Sequence, residues 1–365
     1  MHGRLGFESH IGRTATLGIG LLLAACGGSV ATPSESPPRP TSGISTPSQQ
    51  PATSAEPEPV EATLRLDFRT TGSHAGSFMA LESGFFEDEG LTITIEDGEG
   101  SATTTQVVGT GGDLFGWADA SVVALNITEG VPVVMVADVL QQSPALVLSR
   151  ADDPVDEPSD LEGKSVGVTV GGSAEQMLNA FITVNAVDGG SIELVNMQGS
   201  AQPAAFLSGQ VDVLVTSVGT ALATTRQAEE QGFDTQTLMF SDHGVNLLAH
   251  GYIVSDETAE GDPELVQRFI RAALRGWEAV ADDPQAGVDA ITANRPEADP
   301  ELLRDQLDVF LGQFHTANTE NCPIGWQSSD DWEVMLDFLT DYSGMSTPES
   351  LDEYFSNEYL PNPTC

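Results

Sequence analysis

Residues 64–95, LRLDFRTTGSHAGSFMALESGFFEDEGLTITI, decide the fold of this chain. Apolar and polar side chains alternate in the first five residues of the stretch, which predicts a strand. Its middle places Phe78, Leu81 and Phe86 at helical spacing, and Gly90 predicts the end of that helix. The last five residues alternate again and are rich in β-branched side chains. A strand, a helix and a second strand in this order are typical of a parallel α/β sheet.

The same pattern continues along the chain and then repeats. The first run is completed by predicted helices at 101–108 and 120–129 and strands at 115–118 and 131–140. After a join near residues 141–164, a second run of predicted strands and helices follows: 165–170, 174–185, 192–196, 201–208 and 211–216. Two such runs predict an α/β protein with two doubly wound sheets.

The last third of the chain is predicted to be mainly helical, after strand-like segments at 237–240 and 250–254. Asp262-Pro263 and Asp299-Pro300 are typical of helix starts, since an acidic N-cap precedes a proline in the first helical position. Ser328 predicts a third start. The apolar stripes that follow are interpreted as core.

The beginning of the chain has the features of a targeting segment. Arg4 and Arg13 precede a short apolar run, residues 15–25, which suits a signal peptide better than a membrane span. It ends in LAAC, which resembles the bacterial lipobox. We therefore expect a signal peptide over 1–25 and a lipidated Cys26, with the protein held on the extracytoplasmic face of the cell membrane.

Residues 26–61 are rich in Pro, Ser, Thr and Ala and predict a disordered tether between that lipid and the globular part. The chain has three cysteines. With Cys26 lipidated, Cys322 and Cys365 are left in an oxidising compartment, where we expect them to form a disulfide that holds the tail.

The charge of the chain excludes one class of partner. With 55 acidic and 13 basic residues, the formal net charge is −42. Such a surface repels phosphate backbones, so we expect no nucleic-acid binding. The acidity serves solubility or reflects a saline habitat, where salt screens self-repulsion.

A series of phrases in order resembles class II periplasmic-type binding proteins, the group that serves nitrate, sulfonate, taurine and thiamine-precursor pyrimidines. The similarity extends over roughly residues 64–361. It rests on these phrases: HAGSFMA from His74, ESGFFEDEGL from Glu82, GDLFGWADA from Gly112, GVPVV from Gly130, DLEGKSVGV from Asp160, GQVDV from Gly209, RAALRGW from Arg271 and NEYLP from Asn357.

The resemblance implies two α/β lobes joined by two crossover segments, with a small molecule bound in the cleft between them. On this basis we assign 62–140 and about 245–365 to the first lobe and 141–244 to the second. The partners implied are ABC permease subunits in the membrane. We expect a monomer, no cofactor and no metal.

In open α/β sheets, ligands bind beyond the carboxyl ends of the strands, at helix N-termini. This rule, which the family's matching loops support, selects the following candidates for ligand contact: Ser73, His74, Phe78, Gly100, Ser101, Asp119, Ser121, Gln141, Gly172, Ser173, Ala174, Thr216 and Ser217.

Several of these candidates also have a structural interpretation. Ser101, Ser173 and Asp119 are typical N-cap residues. His74 suits a helix cap equally well, and Phe78 suits the core.

The expected function is an extracytoplasmic solute receptor of an ABC importer. Because Glu99 and Asp119 are expected near the cleft, a neutral or weakly basic heterocycle such as a pyrimidine thiamine precursor is favoured over an anion. Sulfonate, taurine or nitrate stays an alternative, since helix N-termini bind oxyanions without Lys or Arg.

The chain is not expected to be an enzyme. It contains no Walker loop, HExxH or G-x-S-x-G motif, and the glycines at 109–112 end a helix where a dinucleotide loop would open one. A pyrimidine synthase on the same fold is the enzymatic alternative. The absence of a cysteine cluster argues against it.

Overall fold

The computed structural model describes residues 59–169, 173–347 and 350–365, without the side chains of Ser173 and Gln176. The predicted signal peptide, Cys26, most of the tether and Gly172 lie outside the described residues.

The described chain forms two five-stranded sheets, with strand orders β2-β1-β3-β10-β4 and β7-β6-β8-β5-β9. The first sheet contains β1 (Val60–Arg65), β2 (Leu91–Glu96), β3 (Phe115–Asp119), β4 (Val133–Leu140) and β10 (His250–Ser255). The second contains β5 (Ala145–Arg150), β6 (Ser165–Thr169), β7 (Glu193–Met197), β8 (Val213–Ser217) and β9 (Thr235–Met239).

Helices cover the sheets and form the C-terminal part. The α-helices are α1 (Ala75–Glu82), α2 (Phe85–Asp88), α3 (Ser101–Gly109), α4 (Ala120–Thr128), α5 (Ser173–Val184), α6 (Gln202–Leu207), α7 (Val218–Glu230), α8 (Asp256–Gly261), α9 (Pro263–Asp282), α10 (Pro284–Asn294), α11 (Pro300–Phe310) and α12 (Ser329–Tyr342). The predicted starts of α9, α11 and α12 are confirmed, since Asp262, Asp299 and Ser328 accept hydrogen bonds from the first turns.

Both sheets are mixed, whereas the sequence predicted parallel ones. In the first sheet β10 runs antiparallel to β3 and β4, and in the second β5 runs antiparallel to β8 and β9. In each case the chain has just crossed from the other lobe: β5 follows β4 of the first sheet, and β10 follows β9 of the second. The region near 141–164 was predicted to be only a join, yet it contributes β5, which is buried on both faces except at its last residue. A strand buried on both faces lacks the alternation from which a half-buried strand is recognised.

Two connections cross between the sheets: residues 141–144 link β4 to β5, and residues 240–249 link β9 to β10. Hydrogen bonds join the first connection, residues 141–144, to the C-terminal part of the chain. Gln141 donates from Nε2 to the carbonyls of Asp138 (3.0 Å) and Trp326 (2.7 Å), and Gln142 donates to the carbonyl of His315 (2.9 Å).

Within the described residues, three buried apolar clusters form the interior. One surrounds the first sheet, α1 and α9, and a smaller one lies between the second sheet, α6 and α7. A cluster that we call the shared core contains residues of both lobes, such as Ala118 and Val123 from the first and Val147 and Met177 from the second. Helix α12 joins the shared core through Trp332 and its neighbours.

The C-terminal tail is tied to the body of the protein. Cys322 and Cys365 form a disulfide, with their Cα atoms 5.0 Å apart. In addition, Trp326 donates from Nε1 to the carbonyl of Pro363 (3.2 Å).

Candidate functional site

A cavity of about 90 Å³ lies between the two lobes, where strands of both sheets end. The first lobe contributes the segment after β1, the start of α3, His250 at the start of β10 and Phe310 at the end of α11. The second lobe contributes Thr169 at the end of β6, residues at the starts of α5, α6 and α7, and the end of β8.

An ionised carboxylate lies on the first-lobe side of the cavity, held by two histidines. Asp67 Oδ1 is 2.8 Å from His74 Nε2, and Asp67 Oδ2 is 3.1 Å from His250 Nε2. Because His74 Nδ1 accepts from the backbone N–H of Thr71 (3.0 Å), its proton is on Nε2 and is donated to Asp67.

The pKa values of this group follow from burial and pairing. Burial opposes ionisation of Asp67, but the charge of His250 and the hydrogen bonds from both imidazoles outweigh it and hold the Asp67 pKa well below its usual range. Burial likewise opposes protonation of His250, but the carboxylates of Asp67, Asp119 and Asp138 raise its pKa to about 8. The pair is therefore ionised at neutral pH.

Hydrogen bonds fix the loop that carries Ser73 and His74. The loop is a single 3₁₀ turn, Gly72–His74, capped by Thr71. The Ser73 hydroxyl lies 2.8 Å from Thr71 Oγ1. Gly72 N–H donates to Gln306 Oε1 of α11 (3.0 Å), so the helix positions this wall of the cavity.

On the second-lobe side, Thr216 donates to Gln202 Oε1 (3.0 Å), and Gln202 in turn donates to the carbonyl of Val215 (3.1 Å). Ser217 is the N-cap of α7, yet its side chain makes no capping hydrogen bond. Val218, the first residue of α7, donates its N–H to the carbonyl of Pro144 (2.9 Å), so the Ser217 hydroxyl and the N–H groups after Val218 are the ones suited to hold an oxygen of a ligand.

Seven of the predicted contacts lie on the cavity lining in the structure: Ser73, His74, Gly100, Ser101, Ala174, Thr216 and Ser217. The N-cap interpretation of Ser101 is wrong, because Gly100 is the N-cap and Ser101 is the first residue of α3. The Ser101 hydroxyl accepts from the backbone N–H of Asp119 (3.2 Å), joining α3 to β3. Ser173 is the first residue of α5.

Four other predicted contacts lie away from the lining, and each has a structural role there. Phe78 is wholly buried in the core beside the first sheet. Asp119 caps α4 by accepting from the N–H groups of Ser121 (3.0 Å) and Val122 (3.3 Å), and Ser121 also donates its hydroxyl to it. The side chain of Gln141 donates to the carbonyls of Asp138 and Trp326 and so holds the crossover segment in place.

The cavity lining also includes residues that were not predicted from the sequence, among them Asp67, Phe68, Arg69, Gln202, His250 and Phe310. Asp67 and Phe68 were interpreted as strand residues and Phe310 as part of a core stripe. A polar residue at the end of an apolar strand was the available signal for Asp67. Nothing local connects it with His250, 183 positions away.

Two lobes with a cavity at the strand ends are the architecture of periplasmic-type binding proteins. The alkanesulfonate-binding protein SsuA from Xanthomonas axonopodis pv. citri, solved with bound MOPS, superposes with a TM-score of 0.63 at 14% identity, over 83% of this chain and 98% of that one. The two-lobed α/β fold expected from the sequence is thus confirmed.

The NMT1/THI5 like family matches residues 71–287, and the chain belongs to that family. It is 27% identical to the riboflavin-binding protein RibY of Chloroflexus aurantiacus, over 96% of this chain and 98% of that protein. It is 25% identical to the formylaminopyrimidine-binding protein of Halalkalibacterium halodurans, over 84% and 92% of the two chains. A 4-amino-5-hydroxymethyl-2-methylpyrimidine phosphate synthase of Legionella pneumophila is 20% identical over 82% and 92%.

No helix in the described ranges has the length and apolar character needed to cross a bilayer.

Proposed function

We propose that this protein is the extracytoplasmic receptor of an ABC importer and binds a neutral or weakly basic heterocycle between its lobes. The observation that carries the proposal is the cavity at the strand ends of both sheets, lined by both lobes. A ligand there contacts both lobes at once, so binding favours the arrangement in which they approach each other.

The chemistry of the lining favours a ring over a small anion. Phe68 and Phe310 supply aromatic surface for a planar ligand. Among the described lining residues, Arg69 and the protonated His250 are cationic, while Asp67 and Glu175 are acidic, so cations do not outnumber carboxylates. An oxyanion would have to approach the ionised Asp67, which costs free energy unless cations outnumber the carboxylates.

The relatives support this choice, since those at 27% and 25% identity are named for binding riboflavin and a formylaminopyrimidine. Both names describe nitrogen heterocycles. Sulfonate or taurine is the alternative of the same fold, and the N-terminus of α7, where the Ser217 side chain makes no capping hydrogen bond, is the feature that would serve it.

A binding screen tests the proposal. We expect riboflavin or 4-amino-5-hydroxymethyl-2-methylpyrimidine to raise the melting temperature of the detergent-solubilised full-length protein by several degrees at concentrations far above Kd. Taurine, MOPS and nitrate, which each present a sulfonate or nitrate group, are the comparison compounds and should leave the melting temperature unchanged. A shift with these compounds alone would reverse the assignment, and native mass spectrometry of freshly purified protein would identify a co-purified solute directly.

The rival function is synthesis of a pyrimidine, which the Legionella pneumophila relative's name describes. We infer binding without turnover, because no cysteine among the described residues lines the cavity; Cys322 and Cys365 are joined to each other. Incubation of the protein with candidate precursors, followed by mass spectrometry for newly formed pyrimidine, tests this. An amount of pyrimidine that stays constant with time supports a receptor, and an increase would establish an enzyme.

We further propose that residues 1–25 are a signal peptide and that an acyl group on Cys26 anchors a monomer to the outer face of the membrane. The LAAC sequence supports this, and buried CH₂ groups bind membranes whatever the charge of the protein. Cys26→Ser should move the protein from the membrane to the soluble fraction. Membrane retention of the variant would contradict the lipid anchor.

A further inference from the structure

Asp67 lies on the cavity wall, and its side chain is partly exposed there. Its side chain is 17% exposed, while those of its partners His74 and His250 are 1% and 8% exposed. Each carboxylate oxygen accepts one hydrogen bond from an imidazole. A carboxylate has about four acceptor positions, so roughly half of its capacity is left for a ligand.

Surrounding contacts hold this acceptor in a fixed orientation. His74 is locked by the backbone of Thr71 and packs edge-on against Trp117, with ring centroids 6.3 Å apart. The ring of His250 stacks on the ring of the same Trp117, with their centroids 6.1 Å apart. A carboxylate clamped between two buried rings does not need to reorganise when a ligand donates to it, which increases the selectivity of such a contact.

We propose that Asp67 is the specificity-determining residue of the cavity and accepts a hydrogen bond from an N–H group on the edge of the solute's ring. The class of solute is thereby narrowed to heterocycles with an amino, amide or imide N–H. This inference rests on the proposed function. The inference goes beyond the proposed function because it names the part of the solute that is recognised, an N–H on the edge of the ring, and the group that recognises it, the Asp67 carboxylate.

A site built around a hydrogen-bonding group discriminates strongly against analogues that lack the matching partner, because the buried group is then left unpaired. Hydrogen bonds to charged groups are the stronger ones. Methylation of the recognised nitrogen should therefore weaken binding about tenfold or more.

The experiment compares matched ligand pairs in full-length protein by titration calorimetry. The pairs are riboflavin with 3-methylriboflavin, and 4-amino-2-methylpyrimidine with 4-dimethylamino-2-methylpyrimidine. The variants are Asp67→Asn, which keeps the shape of the side chain, and Asp67→Ala. Asp289→Asn is the control, since it removes the same charge from an exposed residue of α10 whose carboxylate accepts from Gln285 (2.9 Å).

In wild type and in Asp289→Asn, we expect one N–H ligand to bind about tenfold or more tightly than its methylated partner. In Asp67→Ala this ratio should fall close to one, and in Asp67→Asn, which keeps one acceptor oxygen but loses the charge, it should fall by less, even where overall affinity falls too. A purely structural role of Asp67 would weaken both ligands equally and leave the ratio unchanged.

Other outcomes separate this inference from the proposed function. Equal binding of both members of each pair to wild type would overturn the role of Asp67 while leaving a heterocycle receptor. This comparison needs no variant and so holds if the Asp67 variants do not fold. Failure of wild type to bind any of the heterocycles would overturn the proposed function and this inference with it.

Discussion

At the residue scale, the structure separates side chains that build the cavity wall from those that face it. Asp119 was selected from the sequence as a candidate contact or as an N-cap, and the cap is the role that its hydrogen bonds show. Asp67 and His250 face the cavity, yet their pairing depends on the sheet placing β1 and β10 on either side of β3.

The cap at Asp119 gives a prediction about stability. Asp119→Ala removes the acceptor for two N–H groups at the start of α4 and should lower the free energy of unfolding by about 0.5–2 kcal/mol. Asp119→Asn keeps an oxygen in that place and should lower it less. Denaturant unfolding measures both variants, and equal losses would show that the cap is not what Asp119 contributes.

The Asp67–His250 pair predicts a loss of stability as pH rises. The pKa of His250 is raised from 6.5 to about 8 in the folded protein, so its stabilising effect is complete below pH 6.5 and is lost as pH rises through 8. The shift corresponds to about 2 kcal/mol.

The measurement is denaturant unfolding between pH 6 and 9 for wild type and His250→Gln. We expect the variant to show the flatter profile, since glutamine does not titrate. Parallel profiles for the two proteins would mean that His250 does not carry the pH dependence.

At the element scale, helix α1 packs against α9 with almost no space between the two backbones. A Cβ added to Gly276 would lie 2.1 Å from the carbonyl oxygen of Gly76, and one added to Gly76 would meet the ring of Trp277 at 2.2 Å. Small residues at these positions allow the helices to bring Trp277 into the core beside the first sheet.

Gly276→Ala should therefore lower the free energy of unfolding by about 1–3 kcal/mol, although alanine favours helices, because backbone atoms would have to move. Gly261→Ala is the matched control, since Gly261 ends α8 and has no atom within 4 Å of the added methyl. It should be neutral or slightly stabilising. A Gly276 variant as stable as the control would contradict the close packing.

The elements also show what could be predicted from the sequence. The starts of α9, α11 and α12 were predictable because an N-cap and the turn it caps are neighbours in sequence. Strand β5 was not, since burial on both faces removes the periodic pattern. The wall residues Ser73, Ser101 and Thr216 follow from the rule for strand ends, whereas Phe310 reaches the cavity from a helix whose apolar stripe looks like ordinary core.

At the scale of the whole molecule, the two lobes touch at the rim of the cavity through α7 and α11. Gln306 of α11 donates to the carbonyl of Gly219 in α7 (2.7 Å) while accepting from Gly72. Arg226 of α7 pairs with Asp299 (3.2 Å) and with Asp305 across the same contact. These bonds join the lobes on the side of the cavity where Phe68 and Thr71 lie.

Arg226→Ala should speed dissociation of a bound solute up to about fivefold, because exposed ion pairs contribute at most about 1 kcal/mol. Arg304→Ala is the control, since Arg304 pairs with Asp308 within α11 and does not reach the second lobe. Stopped-flow measurement of the dissociation rate tests this. Identical rates in both variants would show that the rim contact does not retain the solute.

The shared core has a consequence for how the protein unfolds. Because Val123 of the first lobe and Met177 of the second belong to one apolar cluster with Trp332 of α12, neither lobe can lose its structure without exposing surface of the other. Differential scanning calorimetry should accordingly record a single endothermic peak for the whole two-lobed body. Two separate peaks would mean that each half melts independently of its neighbour.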